Sequence, residues 1–193
     1  MVMASKHETA QQDLTSAVAV DAGLLAGCRR GERAAQQRLY ELCHRQVYGL
    51  MIRMVGPQEA ADVTQQVFLQ VFCKLDQFAG RSKFETWVYR LAVNEALQYL
   101  RKGKRERFQT LATEPTSHRQ PRGQPAEHRE LLERALSRVE PELRSIFLLR
   151  EVERLSYREI AEATGIPEGT VGSRLNRARR EMQQHLTDLG WEP

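Results

Sequence analysis

The sequence predicts an all-α protein of two small helical domains joined by a flexible linker, the second domain containing a helix-turn-helix. Three observations predict this. Apolar residues recur at three- and four-residue steps along most of the chain. No stretch alternates apolar and polar residues as a strand would, and no internal repeat appears. One tract near the middle, holding Pro115, Pro121, Gly123 and Pro125 among Ser, Thr, Arg and Gln, has no apolar pattern. A chain of 193 residues with 41% hydrophobic content has enough apolar side chains for two modest cores.

Taken in order, residues 1–20 are polar and weakly patterned, which predicts a mobile segment. A first domain is expected over 21–105. Leu24, Leu25 and Cys28 share one face of its opening helix, and Gly31 marks a turn. Leu39, Leu42, Val47, Leu50 and Met54 continue the apolar series until Gly56-Pro57 interrupts it. From Ala61 to Leu75, Val63, Val67, Val71 and Leu75 form a buried stripe. Asp62, Gln66, Leu69 and Cys73 form a second stripe left over for a partner.

A loop around Gly80 leads to a helix expected from about Phe84 to Lys102. Trp87, Asn94, Gln98 and Arg101 lie along one side of it with Arg90 close by. A ring that stacks, amides that read a base edge and cations that hold a backbone suit unstacked bases, although a helical tryptophan taken on its own is more often a core residue than a stacking platform. Arg101, Lys102, Lys104 and Arg105 end the helix as a basic cluster around Gly103.

The linker is expected at 106–126 and the second domain over 127–193. Leu131, Leu132, Ala135, Leu136 and Val139 predict one helix; Pro141 opens the next, carried by Ile146, Phe147, Leu149 and Val152. Tyr157 to Thr164 is a short amphipathic helix with Ile160 and Ala161 inward, and Gly165-Ile166-Pro167 breaks it. Val171, Leu175, Ala178, Met182 and Leu186 then form the buried stripe of the last helix. Two helices joined so tightly cross steeply and leave the second one's polar face outermost. That face carries Thr170, Ser173, Arg174, Asn176, Arg177 and Arg180, with acids only at its ends, Glu168 and Glu181. Small hydroxyls, an amide and guanidiniums suit phosphates and base edges.

Composition narrows the function further. Lys and Arg outnumber Asp and Glu by 29 to 25, a net charge of +4, so the distribution of charge matters more than its total. No apolar run reaches the length of a membrane span and the first residues lack a signal-peptide core, which predicts a cytoplasmic protein without membrane insertion. Cys28, Cys43 and Cys73 are widely spaced, as befits reduced thiols, and His44 beside Cys43 does not make the paired spacing of a zinc site. No Gly-x-x-x-x-Gly-Lys loop or carboxylate cluster is present, so no metal, cofactor or catalytic residue is expected.

With these residues in view, the chain resembles an extracytoplasmic-function sigma factor, a bacterial promoter-specificity subunit reduced to sigma domains two and four. The strings that carry the likeness are Asp62-Val63-Thr64-Gln65-Gln66-Val67-Phe68, Phe84-Glu85-Thr86-Trp87-Val88-Tyr89-Arg90-Leu91-Ala92 with Asn94, Leu155-Ser156-Tyr157-Arg158-Glu159-Ile160-Ala161, and Gly169-Thr170-Val171-Gly172-Ser173-Arg174-Leu175 followed by Arg177-Ala178-Arg179.

The resemblance implies partners and roles: core RNA polymerase, promoter DNA as duplex and melted strand, and an anti-sigma factor. It implies that Asp62, Gln65, Gln66 and Leu69 dock on the polymerase clamp, where the family usually carries an acid at the place of Gln66. Trp87, Arg90, Asn94, Gln98, Arg101, Lys102, Lys104 and Arg105 are implied to hold the minus-ten strand. Thr170, Gly172, Ser173, Arg174, Asn176, Arg177 and Arg180 are implied to meet the minus-thirty-five duplex. Gly172 and Asn176 stand where a basic and a bulkier residue are frequent. Glycine in a helix costs roughly 0.5–1 kcal/mol against alanine, so Gly172 fits a close backbone approach. Two other readings stay open: a stand-alone helix-turn-helix regulator whose first domain dimerises or binds a ligand, and a recombinase with a terminal helix-turn-helix.

Overall fold

A computed structural model of the chain describes residues 20–109 and 124–191. Among these residues there are eight α-helices, one short 3-10 turn at Leu75–Gln77 and no strand. The mobile segment expected over 1–20, apart from Val20, and the centre of the expected linker lie outside the described residues.

The first unit is built from α1 (Ala22–Arg29), α2 (Arg33–Val55), α3 (Ala60–Lys74) and α4 (Phe84–Gln109), packed on one another. Asp21 starts α1 by accepting from the Leu24 N–H at 2.7 Å. Gly27 lets α1 and α2 approach closely, since a Cβ there would lie 2.9 Å from the Cβ of Ala35. Leu39, Val47, Leu50, Met51 and Met54 of α2 meet Val63, Val67 and Val71 of α3 and Val88, Ala92 and Ala96 of α4 in the core. Each large aliphatic side chain so enclosed stabilises by about 1.5–3 kcal/mol. Arg29 closes the end of α3 by donating to the carbonyls of Leu75 at 3.3 Å and Phe78 at 2.9 Å.

The second unit contains α5 (Gln124–Arg138), α6 (Pro141–Glu151), α7 (Tyr157–Thr164) and α8 (Glu168–Asp188). A capping box starts α7: the Ser156 hydroxyl accepts from the Glu159 N–H, and the Glu159 carboxylate accepts from the Ser156 N–H at 2.9 Å. Gly165 ends that helix at φ 71°, a left-handed conformation that glycine adopts without a Cβ clash, and the chain turns at once into α8. Val171, Leu175 and Ala178 of α8 are buried against Ile146, Leu149 and Ile160.

Several expectations shift. The fourth helix runs through Gly103 to Gln109, beyond Lys102, and α5 begins at Gln124, so the expected boundaries at 105 and 126 both fall inside helices. Ala161 is only half-buried and Ala163 takes its place in the core, because the inward face of so short a helix is fixed by Ile160 and its i+3 neighbour. Leu132 and Val152, read as core, are 50% and 41% exposed, while Leu143 and Leu148 are buried.

The two units pack together, with α4 running along α7 and α2 meeting α5 and α6. Arg144 of α6 is buried at this seam. Its guanidinium donates to Met54 O at 2.7 Å, Ser137 O at 2.5 Å and Val139 O at 2.9 Å. These carbonyls lie at or just beyond the negative ends of α2 and α5, so one cation satisfies two helix termini from different units. Burial pulls the arginine's pKa down, but it faces only acceptors. Arg144→Met should leave those carbonyls without their donor and lower the unfolding free energy by about 1–3 kcal/mol. Urea unfolding of the full chain measures this, and an unchanged midpoint would show that water replaces the guanidinium at no cost.

Candidate nucleic-acid interface

The inward stripe of α8 turns Ser173, Arg174, Asn176, Arg177 and Arg180 to the surface, with Thr170 and Gly172 half-buried at their edge. The hydroxyls of Thr170 and Ser173 donate back to Pro167 O at 2.7 Å and Thr170 O at 3.0 Å, which leaves their lone pairs outward. Arg177 is held between two carboxylates, Glu140 and Glu181, each at 3.0 Å. Glu181 was visible at the end of the helix in sequence; Glu140 arrives from the start of α6, a proximity that only the fold creates. Arg179 turns aside to Glu151 at 2.6 Å. Arg174 and Arg180 form no ion pair with any described residue, so these two are ready for an outside anion. A Cβ on Gly172 would meet the Tyr157 ring at 3.5 Å, ordinary contact, so packing does not demand glycine there.

On α4, Arg90, Asn94, Gln98, Arg101, Lys102, Lys104 and Arg105 are all exposed. Trp87 is half-buried, its ring centre 5.5 Å from Phe78 and 5.6 Å from Phe84. It therefore serves the core with one side and lines a surface cleft of about 290 Å³ with the other, alongside Arg81, Thr86 and Arg90. Asn94 follows Trp87 by two helical turns on the same face. Arg101 is turned to Glu142 of α6 at 3.1 Å.

On α3, Asp62, Gln65, Gln66, Leu69 and Cys73 are exposed as the spacing predicts, and Leu69 is 51% exposed. The stripe borders a groove of about 470 Å³ whose other wall is Tyr40, His44 and Tyr48 of α2, with Phe68 and Phe72 in its floor. Tyr40 lies 4.6 Å from Phe68 and 4.7 Å from His44, ring centre to ring centre. This aromatic row escaped the sequence reading, although its four-residue spacing on one helix was a usable signal. His44 belongs to the row. Cys43 points away from it into the interior, where burial first and Glu85 second raise its thiol to about 11.

At the seam, the Lys83 ammonium lies 2.9 Å from Glu159, and the buried Tyr89 hydroxyl donates to Glu153. Desolvation chiefly, and then Glu153, push the Tyr89 pKa up, so it is a donor throughout the working range. No helix among the described residues is long and apolar enough to cross a membrane.

An all-helical chain with a helix-turn-helix, a polar recognition helix and a second cationic helix face bearing an aromatic is a DNA-binding protein of the transcription machinery type. The family model for sigma-70 region 2 matches residues 39–106, and that for sigma-70 region 4 matches residues 129–182. The ECF RNA polymerase sigma-E factor of Haemophilus influenzae is 31% identical over 182 residues, covering 88% of this chain and 96% of its own. The RNA polymerase sigma-H factor of Pseudomonas aeruginosa is 35% identical over 188 residues, covering 88% and 95%. The chain belongs to the extracytoplasmic-function sigma factors of bacterial RNA polymerase. Solved structures agree in fold: the sigma factor RpoE with the anti-sigma factor NepR from Bartonella quintana (TM-score 0.67, 22% identity, 78% of this chain and 96% of that one), and CnrH with the cytosolic domain of CnrY (TM-score 0.60, 21% identity, 87% and 97%).

The Lys83–Glu159 contact has a pH signature. The Lys83 hydrogen bond first, and the Ser156 backbone and hydroxyl after it, hold the Glu159 carboxyl down to about 2 from 4.5. A carboxyl depressed on folding stabilises fully above its unfolded value and loses that contribution as pH falls through its folded one. Acid titration of the full chain followed by circular dichroism should lose stability between about pH 4.5 and 2, and Glu159→Gln should flatten that part of the curve. Superimposable curves would rule out any contribution from this carboxylate.

Proposed function

We propose that this chain is a promoter-specificity subunit that docks on core RNA polymerase through α3, reads a minus-thirty-five duplex through α8 and captures the separated minus-ten strand through α4, without catalysis of its own. The observation that carries the reading is the presence, on one chain, of two cation-bearing helix faces of different chemistry. The α4 face combines a fixed tryptophan with amides and suits bare bases; the α8 face combines small hydroxyls with guanidiniums and suits a groove. The α3 stripe of Asp62, Gln65, Gln66 and Leu69, together with the Tyr40 to Tyr48 groove, offers an apolar and weakly acidic surface that suits a protein helix better than DNA.

In this reading melting is driven by binding. A base that leaves the stack costs a few kcal/mol, and contacts available only to the open strand repay it, so no nucleotide hydrolysis is required. Such a protein works in the cytoplasm, where polymerase and DNA are. The solved neighbour RpoE is bound to the anti-sigma factor NepR, and we extend that class of partner to this chain. A stand-alone regulator has no use for the α4 row and the α3 stripe together. In-vitro transcription with core polymerase and a promoter library tests the proposal and returns the promoter sequence; no transcription from any promoter, in the presence of a folded chain, would refute it.

Two substitutions test the assignments separately. Asp62→Arg should weaken association with core polymerase in a pull-down titration while duplex binding by the chain stays unchanged. Asn94→Ala should lower open-complex formation, or relax preference at one minus-ten base by about 1–3 kcal/mol, with minus-thirty-five binding unaltered. A pre-opened bubble should rescue the melting defect but not the lost preference. Wild-type opening and selection by this variant would remove Asn94 from the site.

A further inference from the structure

Among the outward cations of α8, Arg174 and Arg180 form no ion pair with a described residue, whereas Arg177 is held on two sides. Its Nε–H donates to Glu181 Oε1 and its Nη2 to Glu140 Oε2, both at 3.0 Å. The two acids are also tied to each other, since the Glu140 backbone N–H donates to Glu181 Oε2 at 3.3 Å. Residues 140, 177 and 181 thus close a ring of hydrogen bonds between the start of α6 and the middle of α8.

The ring stands on a rigid base. Glu140 directly precedes α6, yet its carboxylate does not cap that helix and is left for Arg177. Its neighbour Val139 is buried, with a carbonyl that accepts from the buried Arg144 at 2.9 Å, which pins the chain beneath Glu140. Glu181 lies one turn along α8 from Arg177, at the i+4 spacing where such pairs meet. Exposed ion pairs add little stability, so what these bonds confer on Arg177 is direction.

A guanidinium carries five N–H donors. With Nε and one donor of Nη2 engaged, Nη1 and the second donor of Nη2 remain, and Nη1 has no partner among the described residues. A pair of adjacent donors matches the O6 and N7 acceptors of guanine in the major groove. Reading that edge needs a fixed angle, whereas phosphate contacts carry no sequence information and are served by a point charge as well. The flanking charge points the same way: a phosphate that displaced one carboxylate would sit beside the other, like against like, while a neutral base edge displaces neither. We propose that Glu140 and Glu181 are specificity-determining residues, which position Arg177 to read one guanine of the minus-thirty-five duplex and leave phosphates to Arg174 and Arg180. The proposal rests on the reading of α8 as the duplex-binding helix.

The test uses holoenzyme reconstituted from core polymerase and the full chain, selecting duplexes from a promoter library randomised over the minus-thirty-five region. Sequencing of the retained DNA gives the preference at each position, and the amount retained at two salt concentrations gives affinity and its salt dependence. Arg177→Ala should lower a guanine preference at one position by about tenfold. Glu140→Gln/Glu181→Gln should lower it at that same position by about threefold and, having lost two negative charges beside the DNA, should retain more DNA in total. The control Glu130→Gln/Glu133→Gln makes the same change in net charge at exposed acids of α5 and should leave the preference unchanged. Glu140→Asp/Glu181→Asp keeps both charges but shortens each arm by a methylene. It should lose the preference without the gain in retention, and it stands in if the glutamine variant does not fold.

If Arg177→Ala weakens retention evenly over all sequences and reduces its salt dependence, Arg177 sits on a phosphate and the proposal is overturned, with α8 still the duplex-binding helix. A preference lost in Arg177→Ala but kept in both acid variants would overturn the positioning role. If the wild-type holoenzyme shows no preference anywhere in the randomised region, the reading of α8 fails as well.

Discussion

The helical period governs every surface of this molecule. Because α8 commits Val171, Leu175, Ala178 and Met182 to the core, the residues between them have only one direction left, outward. The same division operates on α3, where Val63, Val67 and Val71 go inward and Asp62, Gln66 and Leu69 are left out. On α4 it operates with Val88, Ala92 and Ala96 inside and Arg90, Asn94 and Gln98 outside. Each buried stripe contributes the stability of its helix and, by the same geometry, orients the outward face that the proposed function assigns to a partner. A change that rotates the buried stripe would therefore also turn the outward face.

Charge is arranged on a second principle. The ion pairs at the seam and around α8 are at least partly exposed, and pairs of that kind contribute about 0–1 kcal/mol each. Arg177 is held between Glu140 and Glu181 at little net gain, so exchanging a carboxylate for a phosphate would in itself cost little. Arg144 is the opposite case. Buried and bonded to three carbonyls, it has no exchangeable partner, and it fixes the packing of α6 on the ends of α2 and α5. Exposed cations thus remain available to ligands, while the buried one is structural.

What could be read in the sequence followed from local spacing. The bounds of α7 and the inward stripe of α8 were legible because the break at Gly165 and the three- and four-residue steps act within a turn or two. The outward stripe of α3 was legible for the same reason. Arg144 was not, since a lone arginine within an apolar helix looks solvent-bound until Met54, ninety residues earlier, is brought to 2.7 Å. Nor were Glu140 at Arg177, which depends on how α6 packs on α8, or Glu153 at Tyr89, which depends on how the units pack. The helix end was misplaced at Lys102 because a single internal glycine such as Gly103 costs only about 1 kcal/mol, too little to stop a helix with strong formers on both sides.

Trp87 illustrates why a residue that looks like core in one reading and like a ligand platform in another can be both. Its ring is fixed against Phe78 and Phe84, and the rest of it faces the cleft beside Arg90. Ordering a free side chain at an interface costs about 0.5–1.5 kcal/mol. A ring already ordered by its core contacts has met that cost during folding, so a base stacking on its open side keeps more of the stacking energy, about 1–3 kcal/mol for each base. Full burial would hide the platform, and full exposure would leave it mobile. The half-buried position between Phe84 and Arg90 is the arrangement in which the folding energy of the first unit preorganises the open side of the ring, the side that the proposed function assigns to an unpaired strand.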